Sequence, residues 1–322
     1  MTVETETVLD RRRLRRNMAF WRALAVFVAV IALGAALLGS SSFDALIGKQ
    51  QIARVSFTGT IMESRKQLKL LEKIEKEDNV AALLVFVNSP GGTTTGGEAI
   101  YQALRRISKK KPVVGQFGTV AASAGYIVGL GTDHIVARGN TITGSVGVIL
   151  QWPQLNELLG KIGVKVNEIK SGPLKAEPSP FQPLNDDARK VAEEMVQSSF
   201  QWFVSLVEDR RGIEAGAVPG LTGGRIFSGR DAKRFKLVDE IGGEEEAVRW
   251  LETQKGVTAD LDVVDWKPSD TQGFGLSSWV SAAVTSLFGN SAGGLVDLVA
   301  RDRALSTLGL DGMVSVWHPA EN

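Results

Sequence analysis

Residues 79–92 read NVAALLVFVNSPGG, and this stretch decides the fold class. Every residue from Val80 to Val87 is apolar, which predicts a β-strand covered on both faces by other elements, as in a parallel sheet. Gly91 and Gly92 follow at the carboxyl end of the strand, where a glycine pair can turn backbone N–H groups outward to bind an anion. Nucleotide binding is disfavoured, because the stretch lacks the Gly-Lys-Ser/Thr ending of a phosphate loop.

Strand and helix patterns alternate along the chain on both sides of this stretch. The predicted strands are residues 51–61, 79–87, 112–117, 134–137 and 257–266. The predicted helices are residues 63–76, 97–109, 121–130 and 184–211, of which the second ends in a solvated lysine run. Such alternation predicts an α/β fold with a parallel sheet.

The composition limits the possible functions of the 322 residues. The content of 43% hydrophobic and 23% charged residues is that of a globular protein, and a net charge of +1 argues against nucleic-acid binding. The chain has no cysteine, which excludes disulfides, thiolate zinc sites and a cysteine nucleophile. Only two histidines, His134 and His318, are present, so no metal or other cofactor is predicted.

The N-terminal segment has the features of a membrane anchor. Six arginines and three acidic residues give residues 1–22 a net charge of +3, whereas residues 23–43 carry no charge. At ~1.5 Å per residue this uncharged run spans roughly 32 Å as a helix, enough to cross a hydrocarbon core of ~30 Å. The arginines favour a cytoplasmic N terminus, so we expect the chain after Phe43 on the outer face of the membrane.

A cleaved signal peptide is the alternative for the same segment, because Gly39 and Ser41 form a small-x-small pair. The length of the uncharged run favours the uncleaved anchor. The predicted organisation is a basic cytoplasmic segment (1–22), a transmembrane anchor (23–43), a globular domain (44–267) and a Gly/Ser-rich C-terminal segment (268–322). That last segment includes an amphipathic helix near residues 276–288 and a tail.

A serine nucleophile is possible in the stretch 121–125, which reads AASAG where the third strand leads into the next helix. Small neighbours would let a substrate backbone approach the Ser123 hydroxyl, and the positive helix N-terminus would favour an oxyanion. Taken alone, the motif more often belongs to a small-residue helix packed on a sheet.

Histidine, the usual base for a serine, is badly placed here, since His134 lies in an apolar strand and His318 in the C-terminal tail. A lysine is the remaining choice, and it must be uncharged to accept a proton. Lys170 and Lys175 lie in a proline-stiffened loop, and either could reach a cleft. Ser145, in the hydroxyl-rich turn after the fourth strand, could hold the lysine amine.

Read together, these motifs resemble the signal peptide peptidase A family of membrane-anchored serine proteases. The resemblance covers residues 52–251, and it depends on the order of five motifs. They are NSPGG (88–92), AASAGY (121–126), TGSVGV (143–148), IKSGPLK (169–175) and GRIFSGRDAKRFKLVDEIGG (224–243).

The resemblance implies an α/β fold with repeated β-β-α units, shared by the crotonase superfamily and the Clp protease proteolytic subunit. A single catalytic region is similar to the short form of the family, whose members assemble into homo-oligomeric rings. The implied site residues are the nucleophile Ser123, the general base Lys175, the base-positioning Ser145, and the oxyanion-hole donors Gly91 or Gly92 and Ala124.

The implied activity is a Ser-Lys endopeptidase that degrades cleaved signal peptides and other hydrophobic peptides. We expect it on the periplasmic side of a bacterial inner membrane, held in the lipid bilayer by residues 23–43. Two alternatives remain open at this point. They are a crotonase-type acyl-CoA enzyme, which would use a carboxylate, and a non-catalytic membrane scaffold.

Overall fold

The computed structural model describes residues 21–22, 24–28 and 49–268, together with the backbone of 314–316. No helix within these ranges is long and apolar enough to span a bilayer. Most of the predicted anchor at 23–43 lies outside the described residues. The predicted helix at 276–288 and His318 lie outside them as well.

The chain divides into two compact units, residues 1–51 and 52–322. The second unit is built on an eight-stranded sheet with the order β7-β6-β4-β2-β1-β9, in which β5 joins β4 and β8 joins β5. The strands are β1 (Gln51–Thr58), β2 (Val80–Ser89), β3 (Gly91–Thr93), β4 (Val113–Ala122), β5 (His134–Ala137), β6 (Ile142–Gly144), β7 (Ile226–Ser228), β8 (Glu240–Ile241), β9 (Val263–Asp265) and β10 (Val314–Val316).

Strand pairing is mostly parallel, which agrees with the α/β prediction. The pairs β1–β9, β2–β4, β4–β5, β4–β6 and β5–β8 are parallel, and β6–β7 is antiparallel. The short strand β3 lies outside this sheet and pairs with β10. The helices are α1 (Arg65–Lys76), α2 (Thr94–Ser108), α3 (Ala124–Leu130), α4 (Asn156–Lys161), α5 (Asp186–Arg211), α6 (Gly229–Arg234) and α7 (Glu244–Lys255).

Strand β2 is covered on both faces, as its apolar run predicts. Leu83 and Val85 belong to the larger hydrophobic cluster, which includes residues of α1, α2, α3 and α5. Ala82 and Leu84 point to the other face, where they pack with Leu251 of α7. Alternate residues of one strand thus enter two cores, which places β2 at the centre of the molecule.

Strand β4 is longer than predicted. The predicted strand ends at residue 117 and the predicted helix begins at 121, but the strand continues to Ala122 and α3 begins only at Ala124. Residues 118–122 are extended because this end of β4 lies between two partners. Ala121 is opposite Ser89 of β2 and Thr143 of β6, and the Thr143 hydroxyl donates to the Ala121 carbonyl at 2.7 Å.

Two further local predictions need correction. Thr143 and Gly144 belong to β6 rather than to a turn, and the predicted last strand is shortened to β9. The lysine run after α2 is only partly solvated. Lys111 Nζ donates to the carbonyl oxygens of Ile74, at 2.9 Å, and Glu77, so its ammonium group caps the C-terminal end of α1.

Helix α5 is the longest helix among the described residues, and its C-terminal end is fixed by two arginines. Arg210 donates to the carbonyl of Leu130, the last residue of α3, at 2.9 Å. Arg211 makes a two-pronged hydrogen bond to Asp239, with distances of 2.9 and 2.7 Å. These contacts tie α5 to the elements that follow Ser123.

Candidate active site

Ser123 lies at a sharp strand-to-helix turn between β4 and α3. Its backbone has φ 57° and ψ −118°, a combination that a residue with a side chain rarely adopts. The Ser123 amide donates to the Gly144 carbonyl at 2.9 Å, and its carbonyl accepts from Ile127 in the first turn of α3. The turn is thus held from both sides. Such a strained serine between a strand and a helix is typical of a hydrolase nucleophile.

Helix α3 approaches the end of β2 closely, which limits the side chains that can follow Ser123. A Cβ atom added to Gly125 would lie 2.9 Å from the Ser89 carbonyl oxygen. Ala124, at the first helical position, has a backbone N–H with no acceptor inside its own helix. The N–H of Ala124 is therefore a suitable oxyanion donor beside the serine.

The structure distinguishes the two glycines that the sequence left as equal candidates. The Gly91 amide donates to Ser89 Oγ at 3.1 Å, and the Gly91 carbonyl accepts from Ile61 at 2.8 Å. The Thr93 amide donates to the Ile61 carbonyl, also at 2.8 Å. Because neighbouring residues of a strand point to opposite edges, the N–H of Gly92 faces away from Ile61.

The edge of β3 that faces away from Ile61 pairs with an extended segment of the same chain. Strand β10 lies antiparallel to β3, with Val316 opposite Gly91 and Ser315 opposite Gly92. The backbone of β3 can therefore pair with an extended peptide in the antiparallel direction.

Ser145 lies beside Ser123 across two neighbouring strands. Ala122 is opposite Gly144 in the β4–β6 register, and Ser123 and Ser145 are the residues that follow them. The axes of neighbouring strands are about 5 Å apart, so the two serines lie side by side. The Ser145 backbone also has a positive φ, 52°, and its amide donates to the Arg225 carbonyl at 2.9 Å. The backbone of Ser145 is thus fixed beside Ser123, and its predicted role of holding a lysine amine stays a prediction.

A cleft begins at Ser145 and runs along α5. Two adjoining cavities of ≈ 530 and ≈ 800 Å³ share Val148, Ile149 and Val196 in their walls. Phe200 and Gly224 line the smaller cavity together with Ser145. The smaller cavity, beside Ser145, has mostly apolar side chains in its wall, which suits a hydrophobic substrate, whereas Arg189, Glu193 and Glu194 also line the larger one.

The two candidate lysines lie in different surroundings. Lys170 Nζ is 2.6 Å from a Glu168 oxygen and 2.8 Å from a Glu177 oxygen. Hydrogen bonds to these carboxylates, of which that to Glu168 has the larger effect, raise the pKa of Lys170 and keep it protonated. Lys175 is exposed near the tip of the same loop, and none of the ion pairs found among the described residues involves it.

His134 lies too far from Ser123 to act as its base. It is paired with Val114 near the start of β4, nine residues before Ser123, a separation of roughly 30 Å along an extended strand. Its ring stacks on Trp250, and its Nε2 is 3.3 Å from Glu240. These contacts give His134 a structural role in the sheet.

Comparisons with known proteins identify the family. The sequence model of peptidase family S49 matches residues 105–258, and that of Clp protease matches residues 45–138. A protein of Synechocystis, provisionally named a protease, is 38% identical over 67% of this chain and 80% of its own length. The chain belongs to peptidase family S49.

Two further relatives of this S49 peptidase are similar over most of their length. A protein of Methanocaldococcus jannaschii, provisionally named a protease, is 31% identical over 88% of this chain and 97% of its own length. One of Enterococcus faecium, provisionally named signal peptide peptidase SppA, is 35% identical over 76% of this chain and 74% of its own length. The resemblance to the signal peptide peptidase A family is confirmed, and the chain is a serine peptidase.

Membership of S49 decides between the alternatives that the sequence left open. The chain is a peptidase rather than an acyl-CoA enzyme or a non-catalytic scaffold. The mixed α/β architecture with a Clp protease-like region is confirmed too. Within the described residues, no group of three or more His, Cys, Asp or Glu side chains could hold a metal ion.

The sequence prediction missed several residues that shape the S49 site. Ser89, whose hydroxyl holds Gly91, lies inside the quoted NSPGG motif and could have been noticed. Val196 and Phe200 line the cleft from α5, but nothing in the helix sequence indicates which of its faces would meet the site.

Proposed function

We propose that this S49 peptidase is a membrane-anchored endopeptidase that cleaves hydrophobic peptides with a Ser123–Lys175 dyad. The observation that supports the proposal most is the strained backbone of Ser123 at the β4–α3 turn. Strain of this kind costs about 1–3 kcal/mol and is frequent at active sites. The position of His134, far from Ser123, favours a lysine as the base.

In the proposed reaction, the uncharged amine of Lys175 takes the proton of Ser123 Oγ as this oxygen bonds to the peptide carbonyl carbon. The carbonyl oxygen becomes an oxyanion that accepts from the N–H groups of Gly92 and Ala124. When the C–N bond breaks, the lysine ammonium donates its proton to the leaving amine. Water then attacks the acyl ester, giving one proton to Lys175, which returns it to Ser123 Oγ.

Gly92 is preferred to Gly91 in this role because the Gly91 amide already donates to Ser89. The N–H of Gly92 faces the edge of β3 at which β10 pairs. A peptide substrate that adds a strand at this edge would gain backbone hydrogen bonds and bring a carbonyl to the oxyanion donors.

Hydrophobic peptides, including cleaved signal peptides, are the proposed substrates. The cleft beside Ser145 is lined by Val146, Val148, Ile149, Val196 and Phe200, which would bury apolar side chains. Backbone pairing at β3 requires no particular sequence, so selection would depend mainly on the cleft.

A ring of identical subunits, with Lys175 supplied by a neighbouring copy, completes the proposal. Ser123 is buried at 1% exposure, whereas Lys175 is exposed on a projecting loop. The same region exposes an unusual number of large apolar side chains, a feature typical of subunit interfaces. They are Ile149, Leu158, Ile162, Val164, Val166, Ile169, Leu174 and Phe181.

The proposed location is the outer side of the cytoplasmic membrane, with residues 23–43 as the anchor. The arginine-rich segment 1–22 and the uncharged run that follows support this orientation. Signal peptide remnants lie in that membrane, so an anchored enzyme would meet them there.

A fluorophosphonate probe tests the nucleophile. Full-length protein in detergent should be labelled once per chain, and Ser123→Ala should abolish both labelling and peptidase activity. Ser205→Ala, at an exposed position of α5, is the matched control and should behave as wild type. Labelling that survives in Ser123→Ala would show that another residue is the nucleophile.

A further inference from the structure

The loop that carries Lys175 is closed by a cluster of charged side chains on either side of it. Lys170 Nζ is held between Glu168, at 2.6 Å, and Glu177, at 2.8 Å. The Lys170 and Glu177 side chains are only 17% and 5% exposed, although Lys175 itself is exposed. The ion pairs are therefore partly sheltered from solvent, which strengthens them relative to surface pairs.

Further hydrogen bonds to Glu168 and Glu177 extend this cluster. The second oxygen of Glu177 accepts from the Ser179 amide at 3.0 Å, and the Ser179 hydroxyl donates to Glu168 at 3.2 Å. Gln182 Nε2 donates to the other Glu168 oxygen at 3.1 Å. Each carboxylate thus has more than one donor, and Ser179 is buried at 3% exposure.

The cluster joins the residue five positions before Lys175 to the residue two positions after it. Between these points the Lys175 amide donates to the Gly172 carbonyl at 3.1 Å, which forms a tight turn. A second backbone hydrogen bond within the tip, from the Glu177 amide to the Leu174 carbonyl, is longer, at 3.4 Å. The side-chain cluster therefore restrains the loop tip in addition to its prolines and these two backbone bonds.

We infer that Lys170 and Glu177, with Glu168, are positioning residues that fix the loop tip so that Lys175 reaches the catalytic serine. This inference rests on the proposed function, in which Lys175 is the base. A base must be within hydrogen-bond reach of the proton it takes, and displacement by about 1 Å can cost roughly 100-fold in rate. The cluster would hold the loop in place before the subunits meet.

Lys170 could instead be the base itself, but its surroundings argue against that role. The two carboxylates on Lys170 stabilise its charged form, and a charged amine cannot accept a proton. Glu168 and Glu177 therefore suit a Lys170 that stays charged and has a structural role.

Four variants of the full-length protein in detergent test the inference: Lys170→Met, Glu177→Gln, Lys170→Arg and the control Lys165→Met. Lys165 is exposed earlier in the same region. We expect Lys170→Met and Glu177→Gln to lower kcat on a hydrophobic peptide about 10- to 100-fold, with KM changed less than about threefold. Lys170→Arg, which keeps the charge and the donors, should recover most of the rate, and Lys165→Met should match wild type.

Assembly and folding are measured in parallel by light scattering and thermal unfolding. The inference would be overturned if Lys170→Met kept the wild-type kcat or changed only KM. It would also be overturned if Lys170→Arg failed to restore the rate, or if lost assembly explained the rate loss. Lys175→Ala separates it from the proposed function. If Lys175→Ala keeps its activity, the proposed base is wrong. If Lys175→Ala is inactive and Lys170→Met is fully active, only the positioning role is wrong.

Discussion

The backbone amide of Ser123 donates a 2.9 Å hydrogen bond to the carbonyl oxygen of Gly144, the residue that precedes Ser145. This bond continues the β4–β6 pairing one residue beyond the end of β4. It holds Ser123 in its strained conformation at the point where the chain turns into α3. The β6 strand therefore positions both serines of the proposed site.

Replacing Ser123 should reveal a conflict between stability and activity. Ser123→Gly and Ser123→Ala both remove the hydroxyl and should both be inactive, but only glycine adopts φ 57° and ψ −118° without strain. We expect the free energy of unfolding to be about 1 kcal/mol larger for Ser123→Gly than for Ser123→Ala. Urea unfolding measures the difference, and equal stabilities would show that the turn is unstrained.

The Gly92 position should tolerate no side chain. A Cβ atom there would lie 1.8 Å from the Ile61 carbonyl oxygen, so Gly92→Ala must displace β3. Loss of an oxyanion donor typically lowers kcat about 100- to 1,000-fold, and we expect an effect of this size. Gly160→Ala, where a Cβ meets nothing within 4 Å, is the control for peptide-hydrolysis assays. A fully active Gly92→Ala would exclude Gly92 from the oxyanion hole.

Sequence patterns predict the helices and strands whose conformation depends mainly on their own residues. The apolar run of β2 and the spaced leucines of α1 determine those elements by themselves, and both form as predicted. The end of β4 was assigned wrongly because its small residues are extended only through pairing with β2 and β6, which are distant in sequence.

The candidate site shows the same division. The motif AASAG indicates a serine at a strand–helix boundary, but its strained backbone depends on the Gly144 carbonyl. The choice of Gly92 over Gly91 depends on Ser89 and Ile61, whose bonding no motif states. The prediction of a solvated Lys111 is wrong because its acceptors, at the end of α1, are more than thirty residues away in the chain.

The pair Arg211–Asp239 should contribute to stability in a pH-dependent way. Burial opposes ionisation of Asp239, but the hydrogen bonds and charge of Arg211 outweigh it and lower the pKa of the carboxyl group. A carboxyl group whose pKa is lower in the folded state than in the unfolded state stabilises the fold at pH values above its unfolded-state pKa. This stabilisation is lost as the pH falls through its folded-state pKa. Arg211→Met should therefore lower the free energy of unfolding by roughly 3 kcal/mol at pH 7, and this loss should shrink as the pH falls below the ordinary aspartate value and through the lowered pKa of Asp239.

Urea unfolding at both pH values measures this effect. Arg249→Met, which removes an exposed pair with Glu246, is the control and should cost under about 0.5 kcal/mol at either pH. An equal loss for Arg211→Met at pH 7 and at low pH would mean that the arginine contributes packing rather than charge.

The C-terminal strand should compete with substrate for β3. Residues 314–316 pair along the edge at which we place the peptide, so removal of residues 311–322 should lower KM, by roughly 10-fold for a short hydrophobic peptide. Ser315→Pro, which removes one backbone donor, should act in the same direction. Steady-state kinetics measures both, and an unchanged or higher KM in the truncated protein would place the substrate elsewhere.

A catalytic pair shared between subunits predicts that two inactive variants restore each other. Ser123→Ala keeps Lys175 and Lys175→Ala keeps Ser123, so co-expression in one cell should form mixed rings in which some neighbours supply an intact pair. With equal amounts and random mixing, about a quarter of the sites should be complete, and peptidase activity should return to about that fraction of wild type.

Separately purified variants mixed after assembly are the control and should stay inactive unless subunits exchange. Distinct affinity tags on the two variants show whether mixed rings have formed. Mixed rings without activity would mean that Ser123 and Lys175 act within one chain, and the exposed loop would then need another role.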